Sequence, residues 1–339
     1  GKYRGTDWEG GGGTMMMLAR WLLRLFVFLT ILAAISYPAA EWMRVPMDDA
    51  ARAELAQAGK ADRFVPLTAG VMHVRVQGPE DGPAVLLVHG ATIGGFAFER
   101  WIKPLSEAGF RVIVPDMFGY GYSDRPATTY DKAFYMTQLS DLLDKLYVTG
   151  PVHIVGSSMG GAITSDFVAA NASRIRSVTL IAPAGLGALA AQRLPIARLF
   201  VAPVIGDWIA RVPGASVMAG TIAQSDIGGV EGVAAWMGGQ VRYRGFAEGQ
   251  LSTFRHYEIA NRLEAYEAVG RSGLPVLALW GTADTVVPFG HSEELLRRAP
   301  QAKLVPVEAA PHGLPLLQPE AMIAIVLPFL NAQSAPGAR

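Results

Sequence analysis

The segment Gly156-Ser157-Ser158-Met159-Gly160-Gly161 sets a serine midway between two glycines, after the apolar run PVHIVG and ahead of SMGGAITSDFVAAN. The first run has the length of a buried strand, and the second has the small-residue pattern of a helix. A strand that turns this sharply into a helix projects its central side chain and strains its own backbone. Glycines two residues before and after relieve the clashes that side chains would make there. Only one frame fits the spacing, so Ser158 is the candidate nucleophile and Ser157 is its neighbour. Just past the turn, the amide of Met159 and the helix dipole suit a developing oxyanion.

A serine hydroxyl is a weak nucleophile and needs a base, itself oriented by a carboxylate. For a serine on a strand-to-helix turn the order along the chain runs serine, acid, histidine. Asp284 lies in LALWGTADTVVP, just past an apolar run, and His312 lies in EAAPHGLPLLQPE beyond the next strand. The remaining histidines fit less well. His73 falls in an early hairpin, His153 within the strand before the turn, His256 in a helical stretch, and His291 at a helix start. His89 closes the run PAVLLVHG and reads as a brace for the loop behind it. That loop, His89-Gly90-Ala91-Thr92-Ile93-Gly94-Gly95, lets the Ala91 amide approach that of Met159 and complete an oxyanion hole. Asp116-Met117-Phe118-Gly119-Tyr120-Gly121-Tyr122-Ser123 is a second Gly-punctuated loop, read as structural, with Tyr120 or Tyr122 near the site.

Strands and helices in alternation must position these residues. PLTAGVMHVRV reads as a hairpin around a glycine turn. PAVLLVHG, RVIVPD, PVHIVG, IRSVTLIAP, PVLALWG and AKLVPV read as strands, separated by helical segments such as FERWIKPLSEAG and TQLSDLLDKLYV. This alternation predicts an α/β fold, a mostly parallel doubly wound sheet with helices on both faces. Between Leu186 and Leu263 the rhythm gives way to helical segments, so 45–185 and 264–333 read as the core and 186–263 as an inserted helical cap. Its apolar residues Trp208, Ile209, Met218, Ile222, Val230, Trp236 and Met237 suit a hydrophobic substrate group. Arg242 and Arg244, in VRYRG, could bind a carboxylate or lie in solvent.

Lys plus Arg equals Asp plus Glu at 29 each, and no block of like charge occurs, which excludes a polyanion partner such as nucleic acid. With no cysteine, disulfides, thiolate metal sites and a cysteine nucleophile are excluded together. No metal or organic cofactor is implied. Residues 1–14 are polar and Gly-rich and read as a leader or cloning remnant ahead of Met15. Residues 15–44 hold an apolar stretch with Arg20 and Arg24 on its N-terminal side. Its uncharged part, Leu25 to Ala40, covers roughly 24 Å as a helix, and Trp21 to Leu23 bring it near spanning length. Two readings stand: an uncleaved anchor ended by Pro38 with Trp42 at the interface, or a signal peptide cleaved after a small-x-small site at Ala34 and Ser36. Either places the bulk of the chain outside the inner membrane, anchored there or secreted to the periplasm.

In this order and spacing VHG, DMFGYGYSDRP, GSSMGG, WGTADTVVP and PHGLP resemble the α/β-hydrolase fold superfamily, from about Phe64 to Leu330. Within it, the dehalogenase and epoxide hydrolase branches carry aspartate where this chain has Ser158. Carbon–carbon bond hydrolases of aromatic degradation commonly have Asn and Trp where Ser157 and Gly313 stand here, and rank second with cofactor-free perhydrolases. Membrane-anchored monoacylglycerol lipase-like hydrolases pair an N-terminal apolar helix with a G-x-S-M-G-G turn. The resemblance implies a carboxylesterase or lipase acting on a small hydrophobic ester. Ser158, His312 and Asp284 would be its triad, and Ala91 and Met159 its oxyanion hole. Receptors and scaffolds of this fold form a third class, and would be expected to lack a triad residue.

Overall fold

Gly11 to Trp42 form one continuous helix, α1, in the computed structural model, which describes residues 11–58, 63–193 and 195–335. The leader residues 1–10 lie outside these. From Met15 to Trp42, α1 has 28 residues and is long and apolar enough to cross a membrane. It runs through Pro38, where the sequence suggests a stop. Proline costs a helix one N–H bond to the preceding turn, and here little more than one turn follows it. The chain divides after Met43 into two units, and the second begins at Arg44.

The second unit opens with a short helix, α2 (Asp49–Gln57), capped by Asp48 Oδ1 accepting the Ala51 amide at 3.0 Å. Strands β1 (Arg63–Leu67) and β2 (Gly70–Gln77) form the expected hairpin. Strands β3 (Ala84–Val88), β4 (Arg111–Pro115), β5 (Val152–Ser157), β6 (Ile175–Ile181), β7 (Val276–Gly281) and β8 (Lys303–Val307) follow. They join in one sheet of order β1-β2-β4-β3-β5-β6-β7-β8, parallel except for the β1/β2 and β2/β4 pairs. Central strands of a parallel sheet are covered on both faces and so read as unbroken apolar runs. AVLLV in β3 is buried at every position. Its alternate residues serve opposite cores, Leu86 and Val88 on one face, Val85 and Leu87 on the other.

Helices α3 (Glu99–Glu107), α4 (Lys132–Lys145) and α5 (Met159–Asn171) connect the strands up to β6. Between β6 and β7 the described chain is helical: α6 (Pro195–Val201), α7 (Ile205–Ile209), a π turn (Ala210–Gly214), α8 (Ala215–Ala223), α9 (Val233–Val241), α10 (Phe246–His256) and α11 (Leu263–Arg271). Helix α12 (His291–Arg298) lies between β7 and β8. The short α13 (Leu314–Leu317) and the long α14 (Pro319–Ser334) close the unit. The order of strands reverses around β3, whose neighbours are β4 on one side and β5 on the other. In such sheets the crevice beyond the carboxyl ends at the reversal is where ligands bind. Here those ends carry His89-Gly90 and Ser158.

Candidate active site

Ser158 sits between β5 and α5 with φ +55° and ψ −121°, a conformation rare for a side chain other than glycine. Such strain costs on the order of 1–3 kcal/mol. It is offset by four backbone hydrogen bonds, each worth about 1 kcal/mol net. The Ser158 amide donates to Ile181, and its carbonyl accepts from Gly161 and Ala184, all at 2.9 Å, and from Ala162 at 3.4 Å. The glycines are required by space. A Cβ on Gly160 would lie 2.1 Å from the Val88 carbonyl oxygen, and one on Gly156 would lie 2.4 Å from that of Gly160.

His312 follows β8 and directs Nε2 at Ser158 Oγ across 3.0 Å. Its Nδ1 meets Asp284 Oδ2 at 2.7 Å. Asp284, on the loop after β7, has a buried side chain whose other oxygen accepts the Val286 and Val287 amides, both at 2.8 Å. With its carboxylate so held, Asp284 fixes the imidazole proton on Nδ1 and leaves Nε2 to accept the serine proton. The His312 side chain stays 21% exposed, which leaves an approach to Ser158 Oγ. The structure therefore brings Ser158, His312 and Asp284 together from positions 126 and 28 residues apart along the chain.

Gly90 lies against Ser158, since a Cβ there would stand 3.0 Å from Ser158 Cβ and 3.6 Å from Oγ. The next amide is that of Ala91. His89 is fully buried; its Nε2 accepts the Met117 amide at 2.9 Å, so its proton is on Nδ1, which donates to the Gly90 carbonyl at 2.6 Å. That carbonyl and the Ala91 N–H share one rigid peptide plane. His89 thereby sets the direction of the Ala91 amide. Burial holds the His89 imidazole below its ordinary value, against the opposing charge of Asp116. Neither the Ala91 nor the Met159 amide has an acceptor among the described residues.

Three residues with a part in this loop carry no chemical signature in the sequence. Thr92 stands at φ +86°, and its carbonyl accepts Gln240 Nε2 at 2.7 Å. Trp236 Nε1 donates to the Ile93 carbonyl at 2.6 Å. Both partners come from α9, where a lone amide in the apolar run VAAWMGGQV was the available signal. Asp116 has a larger part than a loop assignment suggests: Oδ1 accepts the Gly95 amide at 2.6 Å, and Oδ2 accepts from Tyr122 N at 3.0 Å and pairs with His73 Nδ1 at 2.7 Å.

Of the other candidates, Tyr120 stays beside the turn that carries Ser158, and the remaining histidines and arginines lie elsewhere. Tyr120 and Tyr122 are buried, Tyr120 with its hydroxyl 3.5 Å from Met159 Sδ. His153 bonds to Ser177 and Ser334, His256 is exposed, and His291 opens α12. Arg242 faces Glu54 at 3.8 Å, and Arg244 Nε donates to the Arg44 carbonyl.

A profile of the alpha/beta hydrolase family matches residues 85–325, which run from β3 into α14. The chain belongs to the alpha/beta hydrolase family. A non-heme chloroperoxidase from Streptomyces lividans is 28% identical over 281 residues, covering 75% of this chain and 94% of that one. A thermophilic esterase from Thermogutta terrifontis superposes with a TM-score of 0.65 at 22% identity, covering 80% and 99%. The 2-hydroxy-6-oxo-6-phenylhexa-2,4-dienoate hydrolase from Rhodococcus sp. gives 0.65 at 24%, covering 79% and 98%. The two solved structures share the fold of this chain, and the names of the three proteins describe different reactions.

Proposed function

We propose that this alpha/beta hydrolase is a serine esterase that cleaves carboxylic esters with a hydrophobic acyl or alkyl group through an acyl-enzyme. The observation that carries the reading is the relay from Ser158 Oγ to His312 Nε2 (3.0 Å) and from Nδ1 to Asp284 Oδ2 (2.7 Å). Ser158 attacks the ester carbonyl as His312 takes its proton. Asp284 stabilises the imidazolium, and the amides of Ala91 and Met159 receive the oxyanion. His312 then returns the proton to the leaving alcohol, and water, deprotonated by the same imidazole, releases the acid. Support for an apolar substrate comes from the half-buried Met218, Ile222, Ile227 and Val230, and from Ile227 Cγ2 lying 2.6 Å from where a Cβ on Gly313 would stand. The N-terminal helix supports action at a membrane, with α1 as anchor or export signal.

The test is a panel of p-nitrophenyl esters of increasing acyl length, with Ser158→Ala and a fluorophosphonate probe alongside. Turnover and covalent labelling that both vanish in the variant are expected. Labelling that persists, or equal turnover by both proteins, removes Ser158 from the reaction. The likeness to the chloroperoxidase favours one further reading, in which hydrogen peroxide replaces water as acyl acceptor and a peracid leaves. Peroxide-dependent halide oxidation exceeding ester hydrolysis would select it.

A further inference from the structure

Among the described residues, the unit that begins at Arg44 leaves seven large apolar side chains exposed, and five of them fall between residues 199 and 217. Val204 is 79% exposed, Val217 62%, Ile205 51%, Leu199 49% and Val201 38%. They lie on α6, on the turn after it, and on the continuous helical run from Ile205 through the π turn to Ala223. Soluble surfaces scatter single apolar residues, whereas a concentration like this marks a contact. Val204 is held at φ +65°, a conformation that β-branched residues rarely adopt, on a surface where water gives no return for the strain.

The first residues after the apolar helix point to what covers this face. Arg44 stands two residues beyond Trp42, so covalent geometry keeps it within about 8 Å of that residue. Arg44 Nη2 donates to the carbonyl of Arg211, which lies in the same helical run, about 9 Å along its axis from Ile205. The Val45 amide donates to Arg242 at 3.0 Å, and its carbonyl accepts from Arg244 at 2.9 Å. Ala51 and Leu55 are buried in one cluster with Trp236 and Tyr243. The segment that emerges from α1 is therefore fastened to the inserted helices, and not to the opposite end of the sheet.

We infer that the inserted helices rest in the bilayer that α1 is built to cross, with Leu199, Val201, Val204, Ile205 and Val217 seated among the lipid chains. A tether this short makes docking effectively intramolecular, so a few half-exposed aliphatic side chains suffice. The same helices bring Ile227 to Gly313 beside the histidine of the site, so an ester dissolved in the membrane would meet the enzyme where it is most apolar. This substrate clause rests on the esterase reading; the docking does not.

The chain has no cysteine, so Val204→Cys, Val217→Cys and, as a control, Tyr147→Cys each give one labelling site on an exposed residue. The full-length protein, labelled with an environment-sensitive fluorophore, is placed in phosphatidylcholine–phosphatidylglycerol vesicles with or without doxyl-labelled lipid. Doxyl lipid is expected to lower emission at 204 and 217 at least twofold, with iodide quenching suppressed there and undiminished at 147. Equal iodide quenching at all three sites, with no effect of doxyl lipid, overturns the inference. Protection of 204 and 217 from both quenchers also overturns it and assigns the face to a second copy of the chain. Val204→Ser combined with Ile205→Ser is expected to slow hydrolysis of a vesicle-borne long-chain ester at least fivefold relative to a soluble short-chain one. An enzyme without esterase activity would leave the quenching result intact, which separates the two failures.

Discussion

Among the described residues, two aspartate–histidine pairs have identical length, and only one of them reaches a serine hydroxyl. Asp284–His312 and Asp116–His73 both join Oδ2 to Nδ1 at 2.7 Å. In both, the carboxylate also accepts two backbone amides, from Val286 and Val287 in one case and from Gly95 and Tyr122 in the other. The difference is at the far nitrogen. His312 Nε2 meets Ser158 Oγ in a partly open site, whereas His73 Nε2 is buried and has no hydrogen-bond partner among the described residues. A carboxylate behind an imidazole is thus no mark of catalysis; what stands at Nε2 decides. One pair is placed to move a proton, and the other ties β2 to the loop that follows β4.

Removing each imidazole should split the pairs most widely. His312→Ala, like Ser158→Ala, is expected to lower kcat/KM for an activated ester by about 10⁴-fold or more, with the melting temperature close to that of the parent. His73→Ala should do the reverse, lowering the melting temperature while the folded fraction keeps kcat within tenfold. If His73→Ala abolished turnover in protein shown to be folded, the distinction would collapse. Asp116 gives the next largest effect. Burial alone would raise its carboxyl, but the His73 hydrogen bond and the nearby His73, His89 and Arg75 hold it well below the ordinary carboxylate value. Breaking a buried pair costs about 3–5 kcal/mol, so Asp116→Ala should shift the urea midpoint accordingly. A change under 1 kcal/mol would show that the pair is dispensable to the fold.

The pair that reaches Ser158 was legible in the sequence and the buried pair was not, for a physical reason. Ser158 carries a local signature because strain at φ +55° demands glycines at fixed offsets, and Asp284 and His312 each follow an apolar run in the required order. His73 and Asp116 meet across two antiparallel strands, 43 residues apart, and nothing local records which strands pair. The sheet was equally readable because buried parallel strands are continuous apolar runs. The attachment of residues 44–55 to the inserted helices was hidden for the opposite reason: α2 buries only Ala51 and Leu55, too little apolar periodicity to show a partner. The clip from Gln240 and Trp236 to the loop after β3 likewise depends on tertiary contact alone.

Histidines buried without a carboxylate sharpen the comparison further. His153 bonds only to serine hydroxyls, and burial, helped by the Arg176 charge, pushes it down to about 4. An unfolded histidine takes up its proton near pH 6.5, so below that pH the unfolded state binds the proton and the native state does not. The contribution of His153 is complete above pH 6.5 and is lost as pH falls toward 4, by about 3 kcal/mol in all. Urea titrations at pH 7.5, 5.5 and 4.5 should show this loss in the parent and a flatter profile in His153→Gln. Parallel profiles for the two proteins would mean that another group governs the acid limb.

The smallest effect tests whether the loop beside Ser158 depends on the inserted helices at all. Trp236 Nε1 holds the Ile93 carbonyl at 2.6 Å, two residues past the Ala91 amide, while its ring stacks on Phe96 with centroids 5.3 Å apart. Trp236→Phe keeps most of the ring contact and removes one donor from the Ile93 carbonyl, a hydrogen bond worth about 1 kcal/mol net. Losing an oxyanion donor outright costs about 10²–10³ in kcat. A donor that stays in place but is less firmly directed should cost less, so kcat should fall several-fold while KM changes little. The His89 brace on the Gly90 carbonyl is untouched by this change. Unaltered kcat in Trp236→Phe would therefore mean that His89 alone directs the Ala91 amide, and that α9 contributes stability rather than alignment.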